Sequence, residues 1–230
     1  MILDLAGALA RLAGEDRPLE VEIGCGGGHF AVAQASERSD RQLVACELKS
    51  DRCRRTFERA RRAGVDNLLV VKARGEELVQ QLRPQSIAVI HIYFPDPWPK
   101  TRHRRRRLLR WDNLAAMVEA LQLAGELRFV TDFADYGLQA RILTGLHPQL
   151  RTERQSTFDA SALSRYGPRL EALGRRIAHL TATRVALRPR DDAERALMDL
   201  LAGSAHRQAQ QQHQPEQVHR KGQRDRGARQ

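Results

Sequence analysis

Short apolar runs alternate along this chain with longer stretches of helical period. Five of the runs have the length and the β-branched composition of strands, and they span residues 19–23, 42–47, 67–73, 86–94 and 126–132. Most positions in these runs are apolar, which is typical of strands that are covered on both faces of a parallel sheet. Parallel strands joined by helices require right-handed crossovers. The pattern therefore predicts an α/β fold with a mostly parallel sheet.

The carboxyl-terminal part of the chain has weaker patterns. Residues 175–187 have partial strand character and predict a closing edge strand. We assign residues 1–188 to the folded domain and residues 189–202 to a short C-terminal helix. Residues 203–230 are rich in Gln and Arg and nearly lack large apolar side chains, so burial cannot offset the entropy of ordering them. We expect a disordered tail there, which either adds affinity for a polyanion or has no role.

A basic helix is predicted between the second and third strands. Ser50 can cap its start, and Gly64 can end it. Cys53, Phe57 and Ala60 share one face of this helix. The other face carries four arginines, Arg52, Arg55, Arg59 and Arg62. Such a face is either solvated or in contact with phosphate groups, and the sequence leaves both interpretations open.

The net charge of the chain favours a polyanionic partner. Lys and Arg number 39 against 28 Asp and Glu, for a formal net charge of +11, and such an excess promotes binding through release of condensed counterions. Nucleic acid is the first candidate partner, and a membrane surface is the second. No apolar run approaches the ~20 residues of a membrane span, and residues 1–18 lack the basic segment of a signal peptide. We therefore expect a cytoplasmic protein.

The three cysteines do not indicate a metal site. Cys25, Cys46 and Cys53 form no C-x-x-C spacing and leave an odd thiol, which argues against both zinc and a disulfide framework. Cys25 lies in a glycine-rich segment where a nucleophile is conceivable, but the sequence supplies no base beside it. All three are interpreted as packing residues, and we expect no bound metal.

A glycine-rich segment follows the first predicted strand directly. Its glycines include Gly24, Gly26 and Gly28, and the lack of Cβ atoms lets the backbone turn sharply and approach a ligand. Glu47 ends the second strand, where an acid can accept both hydroxyls of a ribose. Together the two features predict a nucleotide-like cofactor, although a purely structural turn is the alternative.

The spacing of the glycines in this segment discriminates between two possible cofactors. In the dinucleotide fingerprint G-x-G-x-x-G, counted from Gly24, a small residue would occupy the position of His29. NAD is therefore disfavoured. The observed pattern E-x-G-x-G-x-G begins at Glu22, whose charge can lie near an ammonium and a sulfonium. This pattern favours S-adenosylmethionine.

The most informative segment follows the fourth predicted strand. Residues 94–107 read FPDPWPKTRHRRRR, and in an open α/β sheet ligands bind at this carboxyl edge of the strands. Prolines fix the backbone around Asp96, so its carboxylate and the Trp98 ring are held at low entropic cost. The arginines from Arg102 to Arg107 are interpreted as clamps for phosphate groups.

This segment strongly resembles the tRNA (guanine-N7)-methyltransferase family, whose hallmark is F-x-D-P-W-x-K-x-R-H. The similarity includes residues 21–24, 46–47 and 130–132 and covers roughly residues 18 to 180. It implies the class I S-adenosylmethionine-dependent methyltransferase fold, which is Rossmann-like with a mostly parallel, seven-stranded sheet flanked by helices. It also implies methyl transfer from S-adenosylmethionine to N7 of guanine 46 in the variable loop of tRNA.

The resemblance assigns roles residue by residue. It implies that Glu22 and Glu47 bind the cofactor with the glycine segment, and that Asp96 stands between cofactor and guanine as the catalytic residue. It also implies that Lys100 and Asp132 serve the substrate. Arg102, next to Lys100 in the basic run, is expected to position the RNA.

Two positions depart from the family pattern. Relatives carry an Asp after the third strand, on the adenine side of the cofactor, where this chain has Arg74 with Glu76 nearby, so Arg74 is the residue assigned to the cofactor at this position. Relatives also carry the motif T-x-Y-E near the end, and this chain has Ser164, Tyr166 and Gly167 at its Thr, Tyr and Glu positions. The resemblance therefore implies that Ser164 and Tyr166 bind the substrate, whereas the glutamate is replaced by Gly167. The stretch before the first strand is also shorter than in many relatives.

These departures keep other functions open. One alternative is a catalytically weakened RNA-binding protein of the same fold, and another is a methyltransferase for a small molecule or a protein. The sequence also leaves open whether the chain is a monomer or a homodimer.

Guanine N7 carries an available lone pair, so its methylation requires alignment rather than a base. Asp96 is expected to stabilise the positive charge that moves into the purine. A donor on N7 would block the attack, so recognition of guanine should use acceptors toward N1–H and N2–H₂, for which Asp132 is our candidate together with Asp96. The competing interpretation of Asp132 is a cap for the helix that follows it.

Overall fold

A computed structural model describes residues 1–153, 172–174 and 176–185. Within them lie eight strands: β1 (Ile2–Leu3), β2 (Leu19–Ile23), β3 (Gln42–Glu47), β4 (Leu68–Lys72), β5 (Ile87–Tyr93), β6 (Leu121–Thr131), β7 (Leu150–Thr152) and β8 (Ala178–Arg184). Six α-helices accompany them in this part of the chain: α1 (Leu5–Leu12), α2 (His29–Glu37), α3 (Ser50–Ala63), α4 (Gly75–Gln81), α5 (Trp111–Ala120) and α6 (Ala134–Leu146). A 3-10 helix, Thr101–Arg106, follows β5.

The strands form one sheet in the order β1-β4-β3-β2-β5-β6-β8-β7. Pairs among β1 to β6 are parallel, whereas β8 is antiparallel to β6 and to β7. The predicted α/β class with a mostly parallel sheet is confirmed. The chain proceeds outward from β2 through β3 and β4 and then returns to β5 and β6 on the other side. The strand order thus reverses between β2 and β5, where ligands bind in sheets of this kind.

The sheet differs from the prediction in strand number and at its edge. It has eight strands instead of seven, because residues 2–3 pair with β4. The strand predicted within 175–187 is present, but it is wrong as an edge strand, because β7 pairs with its outer side. The predictions for 189–202 and 203–230 lie outside the described residues.

The central strands are buried along their whole length. Every residue of β2, β3 and β5 is buried, which explains their nearly continuous apolar sequence. One face of the sheet contributes Val21, Ile90 and Phe129 to the main core with residues of α1, α4, α5 and α6. The other face packs against α2, whose Phe30 contacts Tyr93. A polar side chain on these strands therefore needs a partner or a ligand.

Helix α3 matches the predicted basic helix with one shift at its start. Lys49 occupies the cap position, so Ser50 is the first helical residue and the predicted Ser50 cap is wrong. Gly64 ends the helix with φ 68°, a left-handed conformation that glycine adopts without strain. Cys53 and Ala60 are buried, whereas Phe57 is only half-buried.

The cysteines are packing residues, as predicted. Cys25, Cys46 and Cys53 are free and buried. Burial raises the pKa of Cys25, and it raises the pKa of Cys46 to about 12. Both thiols are therefore protonated at neutral pH and are poor nucleophiles. Among the described residues, no helix combines the length and the apolar character needed to cross a bilayer.

Candidate active site

Two adjoining cavities open at the carboxyl ends of β2, β3 and β5. The larger has a volume of about 700 Å³ and the smaller about 460 Å³. Six residues line both cavities: Gly24, Arg52, Tyr93, Phe94, Pro95 and Asp96. The larger cavity extends past Glu47 to residues 73–76, and the smaller one reaches Glu22 and Asp132. The glycine loop (residues 24–28) and the aspartate segment (residues 94–98) therefore face the same space.

The glycine loop turns through left-handed conformations at alternate residues. Gly24, Gly26 and Gly28 have φ values of 84°, 55° and 72°, which only glycine adopts readily. At Gly28 a Cβ atom would also lie 2.5 Å from the side chain of Thr56. Backbone N–H groups of Gly24 and Cys25 donate to the carbonyl of Cys46 at 2.8 and 3.1 Å. The loop is therefore fastened to the end of β3.

Glu47 organises the end of β3. Its carboxylate accepts hydrogen bonds from the backbone N–H groups of Leu48 and Lys49 at 2.8 and 3.0 Å. It also accepts from the N–H of Gly26 at 3.1 Å and lies 3.5 Å from the guanidinium of Arg52. The carboxylate is buried and faces the larger cavity. This is the position from which an acid can accept ribose hydroxyls.

Glu22 is a buried carboxyl group on the wall of the smaller cavity. Burial, with a smaller contribution from the nearby charge of Glu47, raises the pKa of Glu22 to about 8, against a hydrogen bond from the backbone of Ala31 that lowers it. Its Oε2 atom has no hydrogen-bond partner among the described residues. A buried, unsatisfied acceptor of this kind suits a cationic ligand.

The aspartate segment has strained backbone at both ends. Phe94 and Trp98 have φ values of 49° and 44°, which are uncommon for residues with a side chain and cluster at functional sites. The N–H of Phe94 donates to the carbonyl of Val130 at 2.8 Å, which ties the segment to β6. Asp96 is exposed on the boundary of the two cavities. This placement agrees with a role between two ligands.

The basic run that follows is divided between surface and interior. Lys100 and Arg102 are exposed, at the start of the 3-10 helix. Arg106 lies over the Trp98 ring, 5.0 Å from its centroid, and lines the larger cavity. These side chains can reach a polyanion at the mouth of the site.

Arg107 corrects the prediction of a uniform set of phosphate clamps. It is 1% exposed, donates to the carbonyl of Pro97 at 2.8 Å and pairs with Asp135 at 2.6 Å. It also donates to Gln139 and lies over the Tyr136 ring. A buried charge must be paired in this way to be tolerated. Arg107 therefore joins the aspartate segment to α6 and is not available to RNA.

Asp132 lies on the smaller cavity with Asp96. Helix α6 begins at Ala134 with Phe133 in the cap position and no side-chain cap bond. The N–H of Phe133 donates to Thr131 Oγ1 at 3.2 Å. The interpretation of Asp132 as the helix cap is therefore wrong, and its place on the cavity agrees with a role in ligand recognition.

The part of the larger cavity beside Arg74 contains an acid. Arg74 is exposed and pairs with Glu76 at 2.9 Å and with Glu77 at 3.7 Å. Both Arg74 and Glu76 line this cavity. A carboxylate is thus present two residues after the position where relatives carry one. Ser164 and Tyr166, also predicted to bind substrate, lie outside the described residues.

The sequence analysis missed a buried polar network beneath the site. Glu20 accepts from Gln34 at 3.0 Å, contacts His91 Nε2 at 3.0 Å and pairs with Arg41 at 3.0 Å. His91 Nδ1 lies 2.7 Å from the hydroxyl of Tyr93. Burial lowers the pKa of His91, so the neutral ring can donate to Glu20 and accept from Tyr93. Polar residues at alternate positions of two buried strands were the available signal.

Comparisons with known proteins agree with this geometry. Residues 16–180 match the methyltransferase family model Methyltransf_4. A tRNA (guanine-N(7)-)-methyltransferase of Geobacter metallireducens is 33% identical over 174 residues, which are 73% of this chain and 82% of that protein. The enzyme of the same name from Rhodopseudomonas palustris is 32% identical over 182 residues, 76% of this chain and 72% of that protein.

The chain belongs to the tRNA (guanine-N7)-methyltransferase family. Among solved structures, an S-adenosylmethionine-dependent O-methyltransferase of Thermotoga maritima superposes with a TM-score of 0.52 at 12% identity, covering 81% of this chain and 66% of that chain. Its low identity makes it a match of fold alone. The predicted class I methyltransferase fold is confirmed.

The residues present fit S-adenosylmethionine, the cofactor that the resemblance to this family implies. Glu22 offers the unsatisfied buried oxygen that an amino acid ammonium requires, and Glu47 presents its carboxylate to the larger cavity. Gly24 and Gly26 have no atom within 4 Å of a Cβ position, so the cavity side of the loop is open to close approach. When bound, the cofactor supplies an electrophilic methyl group on a sulfonium.

Proposed function

We propose that this chain methylates N7 of a guanine in tRNA, and that the guanine is nucleotide 46 of the variable loop. The observation that carries the proposal is the place of Asp96 on the wall shared by two cavities. The larger cavity holds Glu47 on the cofactor side, and the smaller one holds Asp132, an acceptor suited to a base, together with Glu22. The names of the relatives support the choice of tRNA and of N7. Such a substrate is consistent with a cytoplasmic protein.

The protein's main contribution to the reaction is orientation. N7 has a lone pair of its own, so no residue needs to remove a proton from it. Pro95 and Pro97 restrict the backbone on either side of Asp96. Phe94 and Trp98 hold the segment in a strained turn. A carboxylate fixed in this way is prepared for its ligand before binding, which lowers the entropic part of the barrier.

Charge is the second contribution. Methyl transfer moves positive charge into the purine ring, and Asp96 at the boundary of the cavities can stabilise that charge. An Arg or Lys that donated to N7 would occupy the reacting lone pair. Asp132 and Asp96 avoid this conflict, because carboxylates accept from N1–H and N2–H₂ and leave N7 open.

The exposed basic residues can hold the RNA. Lys100 and Arg102 lie next to the aspartate segment in sequence and are exposed. Arg106 is held over Trp98 at the cavity mouth. Contacts from such residues to phosphate position a nucleic acid and carry no base specificity. Selection of the guanine is therefore assigned to the carboxylates.

The experiment that tests the proposal is transfer of a labelled methyl group to an unmodified tRNA transcript, followed by mapping of the modified nucleotide. We expect one 7-methylguanine, at nucleotide 46. A matched transcript with 7-deazaguanine at that position lacks the nitrogen nucleophile and should receive no label. Label on the control transcript, or on another atom or nucleotide, would contradict the proposal. Absence of label despite measured binding of cofactor and tRNA would favour an RNA-binding protein without activity.

A further inference from the structure

Helix α3 presents an unusually basic surface beside the site. Residues 50–63 include six arginines, Arg52, Arg54, Arg55, Arg59, Arg61 and Arg62, against Asp51 and Glu58. Three of the arginines, Arg52, Arg55 and Arg59, follow the spacing i, i+3, i+7, which places them on one side of the helix. We call these three residues the α3 arginines.

The α3 arginines line the smaller cavity, where Asp96 and Asp132 also lie. Three guanidinium groups thus border the cavity in which Asp132 is proposed to recognise the base. Arg105 and Arg106, from the basic run after β5, line the larger cavity instead. Arg52 lines both cavities, so the α3 arginines and the arginines of the basic run border the space around Asp96 from two sides.

The contacts of the α3 arginines show how they are held. Arg59 donates to the carbonyl of Gly27 at 3.0 Å and contacts the ring of His29 at 2.9 Å. Among the residues that the structure describes, Arg55 pairs with Asp51 one turn earlier at 2.7 Å, and its side chain is 63% exposed. An exposed pair of this type is weak and is readily exchanged for another anion. Arg55 is thus the member best placed to bind an external phosphate.

We propose that the α3 arginines bind backbone phosphates of the tRNA next to the target nucleotide. The inference rests on the proposed function, because it concerns the same cavity and the same RNA. A base that enters a pocket must leave its stack, while its phosphates remain at the rim. Guanidinium groups along the smaller cavity would therefore meet the phosphates that flank the base. In this arrangement the RNA strand passes between α3 and the basic run after β5.

The test compares Arg55→Gln with Arg62→Gln. Both variants remove one exposed arginine from the same helix, but Arg62 does not line the cavity. Binding of unmodified tRNA is measured between about 50 and 200 mM salt. The logarithm of the association constant falls with the logarithm of the salt concentration, and each lost phosphate contact lowers the magnitude of this slope by about 0.7 to 0.9. We expect this decrease, with a several-fold loss of affinity, for Arg55→Gln only. Calorimetry with S-adenosylhomocysteine should give the same affinity for both variants and the native chain.

The outcomes separate this inference from the proposed function. An unchanged salt slope in Arg55→Gln, or an equal decrease in both variants, would overturn a local contact by the α3 arginines. The slopes are obtained from binding alone, so they remain informative even if the native chain methylates no tRNA. If methylation is observed, Arg55→Gln should raise KM for tRNA and leave kcat unchanged, since its contact does not involve the reacting atoms.

Discussion

The carboxylate of Glu47 accepts a hydrogen bond from the backbone N–H of Gly26 at 3.1 Å. The end of one strand therefore sets the shape of the loop that follows the neighbouring strand. Because Glu47 also faces the larger cavity, one buried anion both supports the loop and is available to the ribose of the cofactor. Loss of its charge should affect both roles.

Replacement of Glu47 by Gln should weaken cofactor binding about 10- to 100-fold, or about 1.4–2.8 kcal/mol. The amide keeps the size of the side chain but accepts less strongly from the N–H groups around it. Calorimetry with S-adenosylhomocysteine measures the change. Glu58→Gln makes the same substitution at an exposed position of α3 and should leave the affinity unchanged. Equal affinities for both variants would remove Glu47 from the cofactor site.

The raised pKa of Glu22 predicts that cofactor binding is coupled to the release of a proton. Its pKa is raised from 4.5 to about 8 by burial, so the carboxyl is largely protonated at pH 7. An ammonium placed beside it favours the carboxylate, and binding should therefore release up to one proton at pH 7. Calorimetry in two buffers of different ionisation enthalpy detects this release. Glu22→Gln should bind more weakly and release no proton, whereas identical heats in both buffers for the native chain would contradict the assignment.

The same pKa shift affects the stability of the ligand-free protein. Between pH 4.5 and 8 the folded chain retains a proton on Glu22 that the unfolded chain has lost. The contribution of Glu22 is thus fully present below pH 4.5 and is lost as the pH rises through about 8. Urea unfolding at pH 6 and pH 8 should show a smaller pH dependence in Glu22→Gln than in the native chain. An unchanged dependence would indicate that Glu22 is already ionised.

Asp96→Asn should lower kcat about 10²- to 10³-fold and change the affinity for tRNA much less. The amide preserves the shape of the turn but cannot stabilise positive charge in the purine. Single-turnover transfer of a labelled methyl group and a separate tRNA binding assay distinguish the two effects. Asp66→Asn, an exposed position outside both cavities, serves as the control. Normal turnover in Asp96→Asn would eliminate the electrostatic role.

Arg107→Lys should lower the free energy of unfolding by about 2–4 kcal/mol, because a buried ion pair loses its geometry while its charges stay buried. A lysine cannot reach Pro97, Asp135 and Gln139 together. Urea denaturation measures the effect as a lower midpoint at an unchanged slope. Arg105→Lys, on the exposed side of the same run, should be within about 0.5 kcal/mol of the native chain. Equal stability of the two variants would show that the contacts of Arg107 contribute nothing.

The strands that the sequence predicted well are those that are buried on both faces. Residues 19–23 and 42–47 match β2 and β3 at both ends. The missed strands β1 and β7 have two and three residues, which is too short for any periodic signal, and both depend on partners that are distant in sequence. The start of β6 at Leu121 was missed because polar residues and Gly125 interrupt the apolar pattern there.

In the site, too, the features with a local sequence signal were predicted and those that depend on distant residues were missed. Glu22, Glu47 and Asp96 follow strands directly, so their meeting at one sheet edge follows from the topology. Arg107 belongs to a run of six basic residues in which no local feature marks one of them as buried. Its burial depends on Asp135 and Gln139, which the fold brings to it from 28 and 32 residues further along the chain. Long-range contacts of this kind are not encoded in a local pattern.

The bridge from Arg107 to Pro97 and Asp135 has an evolutionary consequence. Asp96 precedes Pro97 by one residue and Asp132 precedes α6 by two, so the two carboxylates rest on a common support. A mutation that shifts one of them to accommodate a different nucleobase would also displace the other. Base specificity and reaction rate are then coupled, and evolution toward a new substrate would require changes to the contacts of Arg107 first.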